Sequence, residues 1–243
     1  MSTTPDPASS IPGPAAGLTL PEELLLLAHH PVEGTPLCAR SVLPYGMAGA
    51  VLAELELGGH VTQERGRPVA AAGAPPADQR LAGPLKSLPA PGGSGPKTQR
   101  WIRVAAPYAL GPWTTGLLER GALGAKVPGR FDVVRAMRYP VGTVDLTAPT
   151  RGRFEAARQA GFPDPRSRAL AGLVAATGLA IALYPGLSGW GERRQLRRHM
   201  RDGWISWAVY RNRLRETQAS GGSSGGGHGC GGGSCGSCGG GGD

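Results

Sequence analysis

Four consecutive leucines, Leu24 to Leu27, deny any helix that holds them a polar face, so that helix has to be enclosed by other elements. A helix is what the flanking residues specify: Thr19 with Glu22 three positions on is a capping-box pattern, in which each residue satisfies an orphan N–H of the first turn. The enclosing elements read as helical too. From about Tyr45 to Leu57, Val51, Leu52 and Leu55 recur at helical spacing, and Gly58-Gly59 follows as a stop. Gly46, Gly49, Ala50 and Ala53 give this second helix a stripe of small residues that admits a neighbour closely, which predicts a central position. Aromatic residues are only 5% of a chain that is 40% hydrophobic, so the interior is packed by Leu, Val and Ala. The expectation is a mainly α fold, a compact helical bundle carrying short β-hairpins.

The remaining organisation follows from punctuation. Residues 1–17 read as a disordered leader, 18–216 as one domain, and 217–243 as a disordered Gly/Ser/Cys-rich tail, with many of the 41 glycines in that tail. Within the domain, His60 to Ala70 reads as a short hairpin, Asp78 to Leu88 as a short helix, and Pro89 to Lys97 as a linker. Short helices follow around Trp101 to Ala105 and from Thr114 to Arg120. Arg130 to Pro140 has partial two-residue alternation, as in a strand or hairpin arm, and Arg151 to Ala160 is helical. Arg168 to Tyr184 predicts one long apolar helix. Its uncharged part, Ala169 to Tyr184, falls short of the roughly 20 apolar residues that a membrane span requires, so a core helix is expected. The last helix, about Glu192 to Leu214, places Leu196, Met200, Gly203, Trp207, Tyr210 and Leu214 on a core-facing line and its arginines away from it.

The formal net charge of +9 is unevenly spread. Residues 1–60 hold one basic and six acidic side chains, whereas 130–168 hold eight arginines against four acids and 192–216 eight against three. These two later segments are therefore expected to supply a positive field that suits an anionic partner, lipid head groups or nucleic acid. No signal peptide is visible at the N-terminus, and Cys38 is isolated from three tail cysteines, so a cytoplasmic location is expected.

Several stretches, taken in order, resemble a known family. They are Leu18-Thr19-Leu20-Pro21-Glu22-Glu23 with the leucines that follow, Gly49-Ala50-Val51-Leu52-Ala53-Glu54-Leu55 before Gly58-Gly59, Trp101-Ile102, Leu118-Glu119-Arg120-Gly121-Ala122-Leu123, Arg138-Tyr139-Pro140, Pro163-Asp164-Pro165-Arg166 before Leu170, and Trp207-Ala208-Val209. Together they resemble the Golgi phosphoprotein 3 family in its bacterial branch. The resemblance implies a helical bundle with a projecting hydrophobic hairpin that dips into a bilayer, beside a pocket that in eukaryotic members binds phosphatidylinositol 4-phosphate. It also implies retention of client membrane enzymes. Here the hairpin would be Phe131 to Tyr139, with Phe131, Val133, Val134 and Met137 entering lipid while Arg130, Arg135 and Arg138 meet phosphates. In the alternative reading those apolar residues pack inward. The family's head-group residues fall on Ala48, near Ala39, and near Pro107 and Leu110, so the phosphoinositide specificity does not carry over; Arg40 is the nearby cation that stands in.

Other chemistry is set aside. His228, Cys230, Cys235 and Cys238 match the ligand number of tetrahedral zinc, but ordering a glycine tail around a metal costs backbone entropy with no core to offset it. The expected protein has no cofactor. Gly186-Leu187-Ser188-Gly189-Trp190 lacks the spacing of a nucleophile elbow, and no phosphate-binding Gly-Lys-Ser loop occurs, so no enzyme is expected. His29 and His30 sit where a cation complements the dipole at the end of the first helix. The expected function is that of a peripheral membrane adaptor, monomeric or weakly oligomeric, on anionic lipid. The competing reading is nucleic-acid binding through the Arg193 to Arg215 helix, with Trp204 and Trp207 as stacking surfaces, and it is disfavoured because Trp207 falls on the apolar line.

Overall fold

A computed structural model describes residues 17–127 and 137–221. Helix α1 (Leu20–Ala28) opens as its sequence requires: the Glu22 carboxylate accepts from the Thr19 N–H at 2.9 Å and from the Thr19 hydroxyl at 3.1 Å. Leu24 to Leu27 are all buried, because α1 is enclosed by α2 (Leu43–Leu57), α5 (Gly111–Glu119), α6 (Thr147–Gln159) and α7 (Pro165–Thr177). The predicted small-residue stripe makes α2 the hub of the bundle. A Cβ added to Gly49 would stand 2.4 Å from Val209 Cγ2 and 3.0 Å from Leu173 Cδ2, and one on Gly46 would stand 2.4 Å from Thr177 Cγ2. Close approach at these points seats α7 and α10 (Trp204–Gly221) directly on α2.

Around this centre the smaller elements fall in place. Strands β1 (Val61–Glu64) and β2 (Arg67–Ala70) pair antiparallel from Val61↔Ala70 to Glu64↔Arg67. Their two-residue connection, Arg65-Gly66, has φ of +48° and +76°, the backbone of a turn that matches strand twist. Helix α3 (Gln79–Lys86) is capped by Asp78, whose carboxylate accepts from the Arg80 N–H at 2.9 Å. Helix α4 (Thr98–Ala109) is longer than the Trp101 to Ala105 stretch predicted, and it packs on α2 and α10.

Two expectations about the C-terminal half are corrected. The apolar stretch is not one helix but two, α7 and α8 (Leu179–Leu183), broken at Gly178, whose φ of +85° only glycine adopts readily. Among the described residues no helix is long and apolar enough to cross a membrane. The terminal amphipathic helix is likewise two, α9 (Trp190–Asp202) and α10, separated by the extended residue Gly203. The break rotates the buried face. Leu196 and Met200 remain in the core, but in α10 it is Ile205, Ser206, Ala208, Val209 and Asn212 that are buried, while Trp207 and Leu214 are 41% and 40% exposed. Helix α10 also continues from Thr217 to Gly221, which composition assigns to the tail.

The uneven charge is largely an internal matter. Buried Glu22 receives Arg80 at 3.1 Å and Arg120 at 3.0 Å, Glu54 receives Arg166 at 3.2 Å, and Glu23 receives Arg166 and Arg153 at 3.3 and 3.5 Å. Arg158 is taken up by Glu155 and Glu192. The acidic N-terminal helices thus consume two arginines of the middle segment, Arg153 and Arg166, and Arg158 is paired as well, so that segment contributes less to the outward field than its composition implies.

Candidate functional site

One corner of the bundle collects the described part of the expected lipid site. The chain after α1 folds back so that Tyr139 N–H donates to the Gly34 carbonyl at 2.9 Å and Val141 N–H to the Pro31 carbonyl at 2.8 Å. On the other side, Gly124 N–H donates to the Pro140 carbonyl, and Lys126 and Arg138 exchange both backbone hydrogen bonds at 2.9 and 3.2 Å. Residues 137–141 therefore lie between two partners, and the chain leaves after Lys126 and returns before Arg138 side by side. Gly34 makes this possible: its φ is +66°, and a Cβ there would stand 2.2 Å from the Pro140 nitrogen.

Apolar side chains face outward at this base. Val32 is 81% exposed, Val127 72% and Met137 40%. Of the four residues predicted to enter lipid, Met137 alone falls among the described residues; Phe131, Val133 and Val134 lie outside them, as do Arg130 and Arg135.

The cations gather around His29. Its ring packs edge-on against Tyr139 with centroids 5.7 Å apart, and Nδ1 lies 2.9 Å from the Leu25 carbonyl oxygen. Arg40 is exposed and close enough to lower the affinity of His29 for a proton, so the structure brings Arg40 to the corner where Arg138 stands. The predicted role of His29 is corrected. Burial, more than any other influence, holds its pKa below the ordinary value, so it caps α1 as a neutral ring, with no cationic complement to the dipole.

Arg151 is the residue that the sequence did not single out. Its Nη2 donates to the His29 carbonyl at 3.1 Å, its Nε is buried without a hydrogen-bond partner, and burial lowers its pKa. A half-buried guanidinium without a carboxylate partner among the described residues is suited to meet a phosphate. Only the packing of α6 against the end of α1 brings it there. Cys38, on the same loop as Arg40, is not a reactive thiol: burial pushes its pKa up to about 11.

Ala48, the position where the resemblance places a head-group arginine, opens on an apolar cavity of about 530 Å³ among Val51, Trp101, Tyr108 and Trp113. Arg80 covers Trp113, its guanidinium carbon 4.0 Å from the ring centroid, and is already engaged by Asp78 and Glu22. The lining here differs in kind from a basic head-group pocket. The family model of Golgi phosphoprotein 3 matches residues 20–211, from the first residue of α1 into α10. The chain belongs to the Golgi phosphoprotein 3 family. Among curated proteins, none matches this sequence. In this family member residues 31–34, 124–126 and 138–141 form one hydrogen-bonded corner, which carries Lys126 and Arg138, with Arg40 and Arg151 beside His29.

A second charged region lies on α9 and α10. Arg194, Arg197, Arg198 and Arg201 line a cavity of about 490 Å³ with Trp190 and Tyr210, and Arg194 stacks over Trp190 at 5.2 Å. Trp207 lies 5.3 Å from Tyr210, ring to ring. Sequence periodicity missed this exposed tryptophan because it carried one helical phase through Gly203, where the helix breaks. The four tail residues His228, Cys230, Cys235 and Cys238 lie outside the described residues.

Proposed function

We propose that this protein is a peripheral membrane adaptor that docks on anionic lipid through the corner formed by Val32, Val127 and Met137 with Arg40, Lys126, Arg138 and Arg151. The observation that carries the reading is the conjunction at one rigid, hydrogen-bonded base: three outward apolar side chains beside an arginine that no carboxylate among the described residues neutralises. Apolar tips gain by leaving water for the acyl boundary, and each basic residue at an anionic surface adds about 1 kcal/mol. Membership of the Golgi phosphoprotein 3 family supports the same reading, on the cytoplasmic face of a membrane, with membrane enzymes as clients. The head group is read as anionic lipid in general, because the Ala48 cavity is lined mostly by apolar side chains, and of its two arginines, Arg80 and Arg100, the first is engaged by Asp78 and Glu22.

Flotation with phosphatidylcholine vesicles, with and without phosphatidylserine, tests this. The protein floats with the anionic vesicles, and the double variant Val127→Asp/Met137→Asp remains at the bottom. Equal flotation of variant and wild type, or no preference for phosphatidylserine, refutes the proposal.

One observation favours a second reading, nucleic-acid binding by α9 and α10. Trp190 and Trp207 are 53% and 41% exposed beside Arg197 and Arg201, which form no ion pair among the described residues, the combination that single strands use for stacking and charge. Tight binding of single-stranded DNA that Trp190→Ala/Trp207→Ala abolishes, in a protein that does not float, would establish it instead.

A further inference from the structure

A cavity of about 720 Å³ opens between β2, the start of α4 and the end of α10, sharing no residue with the lipid corner, and five of its lining side chains are cations. They are Arg67 from β2, Lys97, Arg100 and Arg103 from α4 and its N-cap, and Arg215 from α10. Among the described residues no carboxylate lines it. The nearest acids along the chain are committed elsewhere: Glu64, opposite Arg67 in the hairpin, accepts from the Gly92 N–H at 3.2 Å, and Glu216 accepts from the Tyr45 hydroxyl at 3.2 Å. Among the described residues none of the five cations forms an ion pair; Arg67 donates to the Gly95 carbonyl.

This arrangement runs against helix electrostatics. The N-terminus of a helix is its positive end and favours acids. Helix α4, twelve residues long, has instead Lys97 as its N-cap, no capping side-chain hydrogen bond, no acid in its first turn, and Arg100 and Arg103 three residues apart facing the same cavity. Four guanidinium groups and an ammonium held together at a positive helix end repel one another, and among the described residues none of the five is matched by a carboxylate in an ion pair. An anion in the cavity relieves both terms, and it meets forked donors whose geometry matches phosphate oxygens.

We propose that this cavity binds a small anion bearing two or more phosphate groups. Five cations suit more than one phosphate, and the volume falls in the range of small-ligand sites. The site is separate from the lipid corner and does not depend on it.

Titration calorimetry with pyrophosphate, on the full chain, tests the assignment. Arg100→Ala/Arg103→Ala removes two exposed side chains, and it should weaken binding by about 10-fold for each lost charge-assisted hydrogen bond. Lys86→Ala/Arg211→Ala, which removes the same charge from exposed positions outside the cavity, should leave it unchanged. A second arm presents the same chemistry on a surface, as phosphatidylcholine vesicles with and without cardiolipin, whose head group carries two phosphates. Pyrophosphate binding with the stated pattern assigns a soluble ligand; the same pattern on cardiolipin vesicles alone assigns a lipid head group. Equal losses in both double variants, or binding in neither arm, overturns the proposal. The vesicle arm repeated with Val127→Asp/Met137→Asp separates a failure of this site from a failure of the lipid corner.

Discussion

Glu22 is the most heavily committed polar side chain in the core, and removing it should destabilise the fold more than a capping role alone requires. Its carboxylate, 1% exposed, accepts from the Thr19 N–H and hydroxyl and from Arg80 and Arg120. The loss in Glu22→Ala can be worked contact by contact. The cap contributes about 1 kcal/mol. The Arg80 hydrogen bond, to a buried acceptor, contributes about 1.5–3 kcal/mol, toward the low end because Arg80 keeps Asp78. Arg120 is 41% exposed and regains water, so its share is at most about 1 kcal/mol. The sum is about 3 kcal/mol, or roughly 6–12 °C in Tm for a domain of this size. Glu22→Gln keeps an acceptor for Thr19 and loses only the charge, so it should lie about midway. Urea unfolding of both variants, completed as a double-mutant cycle with Arg80→Met, measures the coupling directly. A Glu22→Ala protein within about 0.5 kcal/mol of wild type, or a cycle with no coupling, would refute the account of a shared buried acceptor.

Other expectations can be checked in the same assay. Gly49→Ala places a methyl against Val209 and Leu173, both fully buried, and should cost about 1–3 kcal/mol, whereas Gly152→Ala meets nothing within 4 Å in α6 and should stabilise by about 0.5–1 kcal/mol; identical signs would contradict the packing of α2. Burial holds His29 and His199 below their ordinary pKa, so the folded state takes up fewer protons than the unfolded one. Stability should therefore be complete above about pH 6.5 and fall as the pH drops through the depressed folded values, with a shallower fall in His29→Gln. A further loss should follow from about pH 4.5 toward pH 2 as Glu155, held at about 2 chiefly by its hydrogen bond with Arg158, takes up its proton. Urea midpoints across this range that stay flat between pH 7 and pH 5 would contradict the buried neutral histidine.

Much of the fold is legible without coordinates, because the signals are local. The capping pair Thr19 and Glu22 and the Gly58 stop are short-range chemistry, and they mark α1 and α2 where the structure has them. The Leu24 to Leu27 run and the glycine stripe of α2 go further, since a side chain that repels water or leaves room for a neighbour specifies burial without naming the neighbour. Of the expected lipid site, Arg40, Arg138 and Met137 stand at one corner, and the remaining residues fall outside those described. Arg151 escaped notice because nothing in its own helix distinguishes it from Arg153 or Arg158; its lack of a carboxylate partner is a property of what surrounds it.

The sequence by itself determined that this chain forms a helical bundle, where its first helix begins, and that α1 and α2 lie at its centre, since those properties follow from side chains within a turn or two of one another. Tertiary structure alone decided where apolar periodicity stops being continuous, at Gly178 and Gly203, and so which way Trp207 faces. It also decided which arginines remain available to a ligand. Charge is countable along a chain, but its field depends on pairing across space: Arg166 disappears into Glu23 and Glu54, while Arg67, Arg100 and Arg215, distant in sequence, share one cavity.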